Sequence, residues 1–188
     1  MAYEVKPTTG PILSHVQAMY RPGERQLAID LFKAMGCAVY DTTALGDGTE
    51  TILSAHPDPS ERCLDNVIFL TDMPEGQLQL EAILKQRIET DETLRAACEQ
   101  YGGVAGERPA GLAHFAVRYP SLQDQDRVLD AFEARLTPEL KPRAKLKVFR
   151  PGVPGDGRTH HFQSFVYTDV VTAGIAAFGQ IIELGAFG

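Results

Sequence analysis

The sequence predicts an α+β protein made of two repeated strand–helix–strand–strand–strand (βαβββ) units with a helical connector inserted between them. A strand-like segment with a central histidine occurs twice, and each copy is followed by the same order of predicted elements. A second short apolar pattern also recurs, at residues 67–70 and 181–184. We therefore divide the chain into a first unit (1–73), a connector (74–110) and a second unit (111–188), which together form one compact domain.

Composition restricts the functional classes that need to be considered. The chain has 188 residues, of which 44% are hydrophobic and 23% charged, with a formal net charge of -7, as expected for a packed globular protein. The acidic balance argues against a nucleic-acid-binding protein. An apolar run of about 18 residues and a signal peptide are both missing from the sequence. The odd number of widely spaced cysteines indicates reduced thiols, so we expect a cytoplasmic protein.

The first unit begins with a loosely alternating segment that predicts a strand over 12–20, with turn-forming residues on both sides. Residues 24–35 carry apolar side chains at helical spacing, and Gly36 is placed as the C-terminal stop of this helix. Three further strands complete the unit, at 37–40, 51–54 and 66–71.

The connector and the second unit follow the same logic. Apolar residues at helical spacing over 75–101 predict two helices, the second capped by Asp91, and the glycines and proline of 102–109 are expected to end it. The second unit is predicted to contain a strand at 111–119, a helix at 121–136, and strands at 146–149, 162–171 and 180–187.

The candidate functional residues occupy matching places in the two units. His15 and His114 lie at the centres of the two first strands, and Glu183 lies in the last strand of the second unit, where the first unit has Phe69. Two histidines and one carboxylate can hold a divalent metal while leaving coordination positions open. A glutamate between apolar residues of a strand is also costly to bury without a partner. The other readings are ordinary strand histidines and a salt bridge across the strands.

This twofold arrangement resembles the vicinal oxygen chelate superfamily, whose members include glyoxalase I, type I extradiol dioxygenases and the bleomycin resistance proteins. The resemblance covers residues 11–73 and 111–188. It implies that the two units form a curved mixed sheet around a shared cleft, with His15, His114 and Glu183 as metal ligands.

The ligand set separates two branches of that family. Glyoxalase I has a fourth ligand at the position of Phe69, which cannot coordinate a metal. The remaining three ligands are similar to those of the extradiol dioxygenases and imply Fe(II) as the preferred metal, whereas Mn, Zn or Ni would suit a glyoxalase-like lyase or isomerase. Residues 161–167 also resemble an extradiol strand in which a histidine and a tyrosine face the substrate. This implies an acid/base role for His161 and a hydrogen-bonding role for Tyr167.

The resulting expectation is a divalent-metal-dependent enzyme that acts on a small substrate with vicinal oxygens and forms a homodimer, as members of the family often do. Two alternatives stay open. One is a metal-free small-molecule-binding protein similar to the bleomycin resistance branch. The other is an interaction module built on the connector, whose helices could pack onto the same chain or onto a second chain.

Overall fold

The computed structural model describes residues 9, 13–42, 52–60, 65–150 and 162–186. Within these residues the protein is an α+β fold with four α-helices and two mixed β-sheets, of five and four strands. The predicted fold class is confirmed at this level, although the strands form two sheets where we expected one. None of the helices in the described ranges is long and apolar enough to cross a membrane.

The elements follow each other in the predicted order. Those of the first half are β1 (His15–Tyr20), α1 (Arg25–Ala34), β2 (Ala38–Thr42), β3 (Ile52–His56) and β4 (Val67–Asp72). The connector consists of α2 (Glu75–Thr90) and α3 (Glu92–Glu107). Those of the second half are β5 (His114–Arg118), α4 (Leu122–Arg135), β6 (Ala144–Phe149), β7 (Gln163–Thr168), β8 (Val171–Thr172) and β9 (Gln180–Gly185).

Two elements differ from the sequence-based expectation. The predicted strand over 162–171 divides into β7 and β8, because the chain turns after Thr168 and β8 pairs with β1 of the first sheet. Helix α3 continues through Gly102 and Gly103 to Glu107 instead of ending before them. Each glycine lowers helix stability by only about 1 kcal/mol, and contacts at the end of α3 with the second sheet offset this cost.

The two sheets share one pattern of strand neighbours. The first has the order β2-β3-β4-β1-β8 and the second β5-β9-β7-β6. In each half the first strand is parallel to the last, while the other neighbours in the sheets are antiparallel. His15 and His114 each open such a parallel pair, and Phe69 and Glu183 each lie two residues beyond the partner of the histidine. The predicted correspondence between these four positions therefore agrees with the strand register.

The core lies between the helices and the sheets and includes residues of both halves. Helix α1 buries Leu31 and Phe32 completely, and α4 buries Phe132 completely, because their apolar residues recur at helical spacing. Gly36 ends α1 with φ +86°, and a Cβ there would lie 3.3 Å from Cγ2 of Val128 in α4. A glycine at this place thus both terminates α1 and lets α4 approach it.

The connector is held to the second half of its own chain. Asp91 caps α3 as predicted, since its side chain accepts a hydrogen bond from the backbone N–H of Leu94 at 3.0 Å. At the other end of α3, the hydroxyl of Tyr167 donates to the carbonyl of Ala105 at 2.9 Å. The ammonium group of Lys147 donates to the carbonyl of the next residue in α3. The end of α3 therefore covers part of the second sheet.

Helix α2 binds the segment between β8 and β9. The buried carboxylate of Glu81 accepts hydrogen bonds from the backbone N–H groups of Ala176 (2.6 Å) and Ala177 (2.8 Å). These residues form a 3₁₀-helix, Ala176–Phe178. Gln77 also donates to the carbonyl of Gly174 at 2.8 Å. A carboxylate at the start of this short helix fixes both its position and its direction.

Candidate functional site

The second sheet has two chemically different faces because side chains alternate along each strand. Ile182 and Leu184 of β9 are fully buried in the core on the side of α4. Residues of the opposite face, which we call the open face, contact the connector or surround the predicted site. They are His114 of β5, Ile181 and Glu183 of β9, Gln163, Phe165 and Tyr167 of β7, and Lys145, Lys147 and Phe149 of β6.

Two of the three predicted metal ligands meet on the open face. Nε2 of His114 lies 3.1 Å from Oε2 of Glu183, and the two side chains are 22% and 19% exposed. The ring of Phe165 meets the His114 ring edge-on, with centroids 6.0 Å apart. The pair is thus half-buried, and an apolar ring packs against its histidine.

The remaining polar atoms of both side chains are already bonded. Nδ1 of His114 lies 2.8 Å from the carbonyl oxygen of Leu112. Because a carbonyl oxygen only accepts hydrogen bonds, Nδ1 carries a proton and donates it. The side-chain amide of Gln163 donates to Oε1 of Glu183 at 3.1 Å. The one remaining polar atom of each side chain, Nε2 of His114 and Oε2 of Glu183, faces the other.

A proton or a cation shared by Nε2 and Oε2 makes this contact attractive. With Nδ1 protonated, a neutral ring has its lone pair on Nε2, and a lone pair facing a carboxylate oxygen is repelled by it. A proton between the two atoms makes the contact a hydrogen bond. A metal ion bound to both atoms would also remove the repulsion between their lone pairs.

The 3.1 Å spacing is that of a direct hydrogen bond, and two ligands of one ion can be equally close. Two ligand atoms each about 2.1 Å from a metal and at a right angle to each other lie about 3 Å apart, close to the 3.1 Å between Nε2 of His114 and Oε2 of Glu183. Metal-bound histidines usually donate their second N–H to a carbonyl or carboxylate, and metal-bound carboxylates are themselves hydrogen-bonded. Leu112 and Gln163 supply these two supporting contacts.

His15 is not brought together with this pair. It lies on β1 in the other sheet, where its ring contacts Phe69 with centroids 5.3 Å apart and its Nδ1 lies 3.0 Å from Oγ of Ser14. Over the described ranges, no three or more His, Cys, Asp or Glu side chains are grouped so that they could hold a metal ion. The residues present therefore fit two ligands of an ion, and the third expected ligand lies apart.

The two predicted catalytic residues have different outcomes. Tyr167 lies on the open face, but its hydroxyl proton is donated to Ala105 of α3, and burial raises the pKa of Tyr167. In the structure its hydroxyl thus joins β7 to the connector. His161 lies outside the described residues.

Sequence reasoning missed Gln163, which orients the carboxylate of Glu183. Alternation within β7 places Gln163 on the same face as Tyr167, so the sequence could have identified that face. The pairing of Phe165 with Glu183 decides that Gln163 reaches the carboxylate, and this register cannot be derived from either strand alone.

A cavity of ≈ 710 Å³ lies beside the pair, between the start of β1 and β5. Its lining includes Leu13 and Val16 from the first half, His114 and Phe115 from β5, and Phe178 from the 3₁₀-helix. Its volume is within the range of small-molecule sites, about 300–1,000 Å³.

The chain matches no family model, and no curated protein is significantly similar to it.

Proposed function

We propose that this protein is a divalent-metal-dependent enzyme, similar to the glyoxalases and extradiol dioxygenases, that acts on a small substrate with vicinal oxygens. One observation carries the proposal: Nε2 of His114 and Oε2 of Glu183 lie 3.1 Å apart, and the other polar atom of each side chain is already bonded. The contacts with Leu112 and Gln163 are of the kind that support metal-bound histidines and carboxylates.

The proposal includes the finer fold arrangement, in which the two halves are copies of one βαβββ unit around a shared cleft. The identical strand order, with the first strand parallel to the last in each half, supports it. The equivalent registers of His15 and His114 support it as well. The cavity between β1 and β5 lies where the two copies meet.

Under this proposal each residue has a defined role. His114 and Glu183 hold the ion, Leu112 fixes the tautomer of the imidazole, and Gln163 orients the carboxylate. His15 is the proposed third ligand, because in β1 it occupies the place that His114 occupies in β5. The ion, Fe(II) by preference and otherwise Mn, Zn or Ni, would act as a Lewis acid towards the substrate oxygens.

The test is metal analysis of anaerobically purified protein after growth with added iron, manganese and zinc. We expect about one ion per wild-type chain and its loss in Glu183→Gln and His114→Gln, because each variant removes a ligand. Gln163→Met should weaken metal binding by about 10- to 100-fold, since it removes only the support of the carboxylate.

Glu139→Gln is the matched control, because Glu139 is an exposed carboxylate outside the site, and it should bind metal like the wild type. Loss of metal in His15→Gln would identify His15 as the third ligand. Wild-type protein that stays metal-free, or Glu183→Gln that binds as much metal as wild type, would overturn the proposal.

A second candidate is a metal-free small-molecule-binding protein. It is favoured by the separation of His15 from the pair and by the ≈ 710 Å³ cavity next to His114. In that case the His114–Glu183 contact is an ion pair in the wall of a binding site. Chelator-treated protein that binds a small ligand as tightly as metal-loaded protein, through a site blocked by Val16→Trp, would support this function over the enzymatic one.

A further inference from the structure

We propose that a second cavity, beneath the end of α3, binds a small planar organic anion such as an aromatic carboxylate. This cavity has a volume of ≈ 280 Å³, and its lining includes Tyr101, Lys145, Tyr167 and Phe178. Tyr101 and Phe178 also line the ≈ 710 Å³ cavity, but neither His114 nor Glu183 lines this one, so the inference does not depend on a metal. Its volume lies just below the range of about 300–1,000 Å³ for ligand sites, which fits a single aromatic ring with an acid group.

Three aromatic rings line the cavity, those of Tyr167, Tyr101 and Phe178. Tyr101 of α3 and Phe178 of the 3₁₀-helix meet edge-to-face, with centroids 5.7 Å apart. Both remain unusually exposed for large apolar side chains, at 40% and 45%. A planar ligand would cover ring surface that is otherwise in water and would gain the stacking energy of aromatic pairs.

The position of Phe178 is determined by the backbone around it. Gly179, the next residue, has φ +72°, and a Cβ there would lie 3.2 Å from the carbonyl oxygen of Thr168. Any other residue would therefore be strained at this point. The carboxylate of Glu81 holds the start of the same 3₁₀-helix. The aromatic wall is thus formed before a ligand arrives, which reduces the entropy that binding would cost.

The charges of the lining favour an anion. Two ionic side chains there, Arg143 and Asp169, neutralise each other through hydrogen bonds of 2.9 and 3.2 Å, and Arg143 also binds Glu24. Lys145 has no ion pair or hydrogen bond with any other described side chain. Its ammonium group therefore leaves the lining with an excess positive charge, beside rings that would receive the planar part of the ligand.

The register of the sheet places the charge correctly for such a ligand. Lys145 lies directly opposite Tyr167 in the antiparallel pair β6–β7, and neighbouring strands are about 4.8 Å apart. A carboxylate attached to a ring that contacts Tyr167 is then within reach of the flexible lysine side chain. A neutral ligand of the same shape would lack this contact.

The test uses 4-fluorobenzoate and its neutral counterpart 4-fluorobenzamide, titrated into chelator-treated protein and followed by ¹⁹F NMR. We expect saturable binding of 4-fluorobenzoate and weaker binding of the amide. Lys145→Met should weaken binding of the benzoate about two- to fivefold, the range expected for one partly exposed charge contact, and leave the amide unchanged. Phe178→Ala should weaken binding of both probes.

Lys33→Met is the control, because Lys33 is an exposed lysine of α1 that does not line the cavity and the variant has the same change of net charge. An equal effect of Lys33→Met and Lys145→Met would overturn the proposal, as would equal affinity for the two probes or a lack of saturable benzoate binding. Since metal is removed beforehand, failure of this proposal and failure of the metal-dependent function are separate results.

Discussion

At the scale of single residues, the open face shows how buried polar groups acquire partners. Glu183 lies between apolar residues of β9, and its two carboxylate oxygens contact Gln163 and His114. Satisfying each oxygen separately lowers the cost of removing a carboxylate from water. The same contacts bring Oε2 of Glu183 next to Nε2 of His114, and the proposed metal site depends on this contact.

Cys37 provides a prediction at this scale. Burial raises the pKa of the Cys37 thiol to about 12, so the reactive thiolate is almost absent at pH 8. We expect iodoacetamide to modify the half-buried Cys98 much faster than Cys37 in the folded protein, with both reacting alike in urea. Peptide mass spectrometry of samples quenched over time measures the two rates, and equal rates in the folded state would contradict the buried position of Cys37.

The same shift affects stability at high pH. Because the folded-state pKa of Cys37 is raised, the buried neutral thiol contributes to the free energy of unfolding. This contribution is fully present below the ordinary thiol pKa of about 8.5. This contribution is lost as the pH rises from there towards about 12. Cys37→Ala should reduce the loss of stability over this alkaline interval.

At the scale of elements, the connector functions as part of the second half of the molecule. Helix α3 contributes Tyr101 to the cavity wall and covers the open face near Tyr167. Helix α2 holds the 3₁₀-helix that carries Phe178. Since these contacts are made within one chain, the connector has a structural role independent of any partner protein.

Glu81 is the decisive residue of this contact. Glu81→Leu leaves two backbone N–H groups without an acceptor, and we expect the free energy of unfolding to fall by about 2–4 kcal/mol. Amide hydrogen exchange should accelerate at Ala176 and Ala177 in particular. Urea denaturation and exchange mass spectrometry measure the two effects.

Gln79→Leu is the control on the same helix, because Gln79 is exposed and its side chain bonds to Glu75 and to no other described residue. Its effect should remain within about 0.5 kcal/mol. If Glu81→Leu behaved like this control, the proposed attachment of α2 would be wrong.

At the scale of the whole molecule, a group of charged residues joins the two halves. The guanidinium of Arg143, in the second half, donates to both carboxylate oxygens of Glu24 at the start of α1, at 2.8 and 3.0 Å. It also donates to the carboxylate of Asp169, whose backbone carbonyl accepts a hydrogen bond from Arg21 of the first half. The hydrogen bonds to Glu24 and Asp169 raise the pKa of Arg143, so its charge is constant at all ordinary pH values.

Removing this guanidinium should weaken the junction. We expect Arg143→Met to lower the free energy of unfolding by about 1–3 kcal/mol, because the pairs are only partly exposed and two carboxylates lose their donor. Urea denaturation followed by circular dichroism measures the change. Arg127→Met is the control, since Arg127 is 72% exposed and pairs only with Asp124 of its own helix among the described residues. A loss as large as that of Arg143→Met would contradict the argument.

A large part of the secondary structure was predictable because its cause is local. Helix α1 follows from apolar residues at helical spacing, and its end follows from Gly36. The cap at Asp91 was equally evident. The fused prediction of β7 and β8 was wrong because the boundary depends on β1, which is distant in sequence and supplies a new pairing edge.

The candidate site divides in the same way. The sequence by itself predicted strands around His15, His114 and Glu183 and the order of the elements, because side-chain alternation and element order depend on local sequence. Only the tertiary structure decided that His114 meets Glu183 and that His15 does not join them. Contacts between side chains depend on strand register and on which strands share a sheet, and these are set by the whole fold rather than by any one segment.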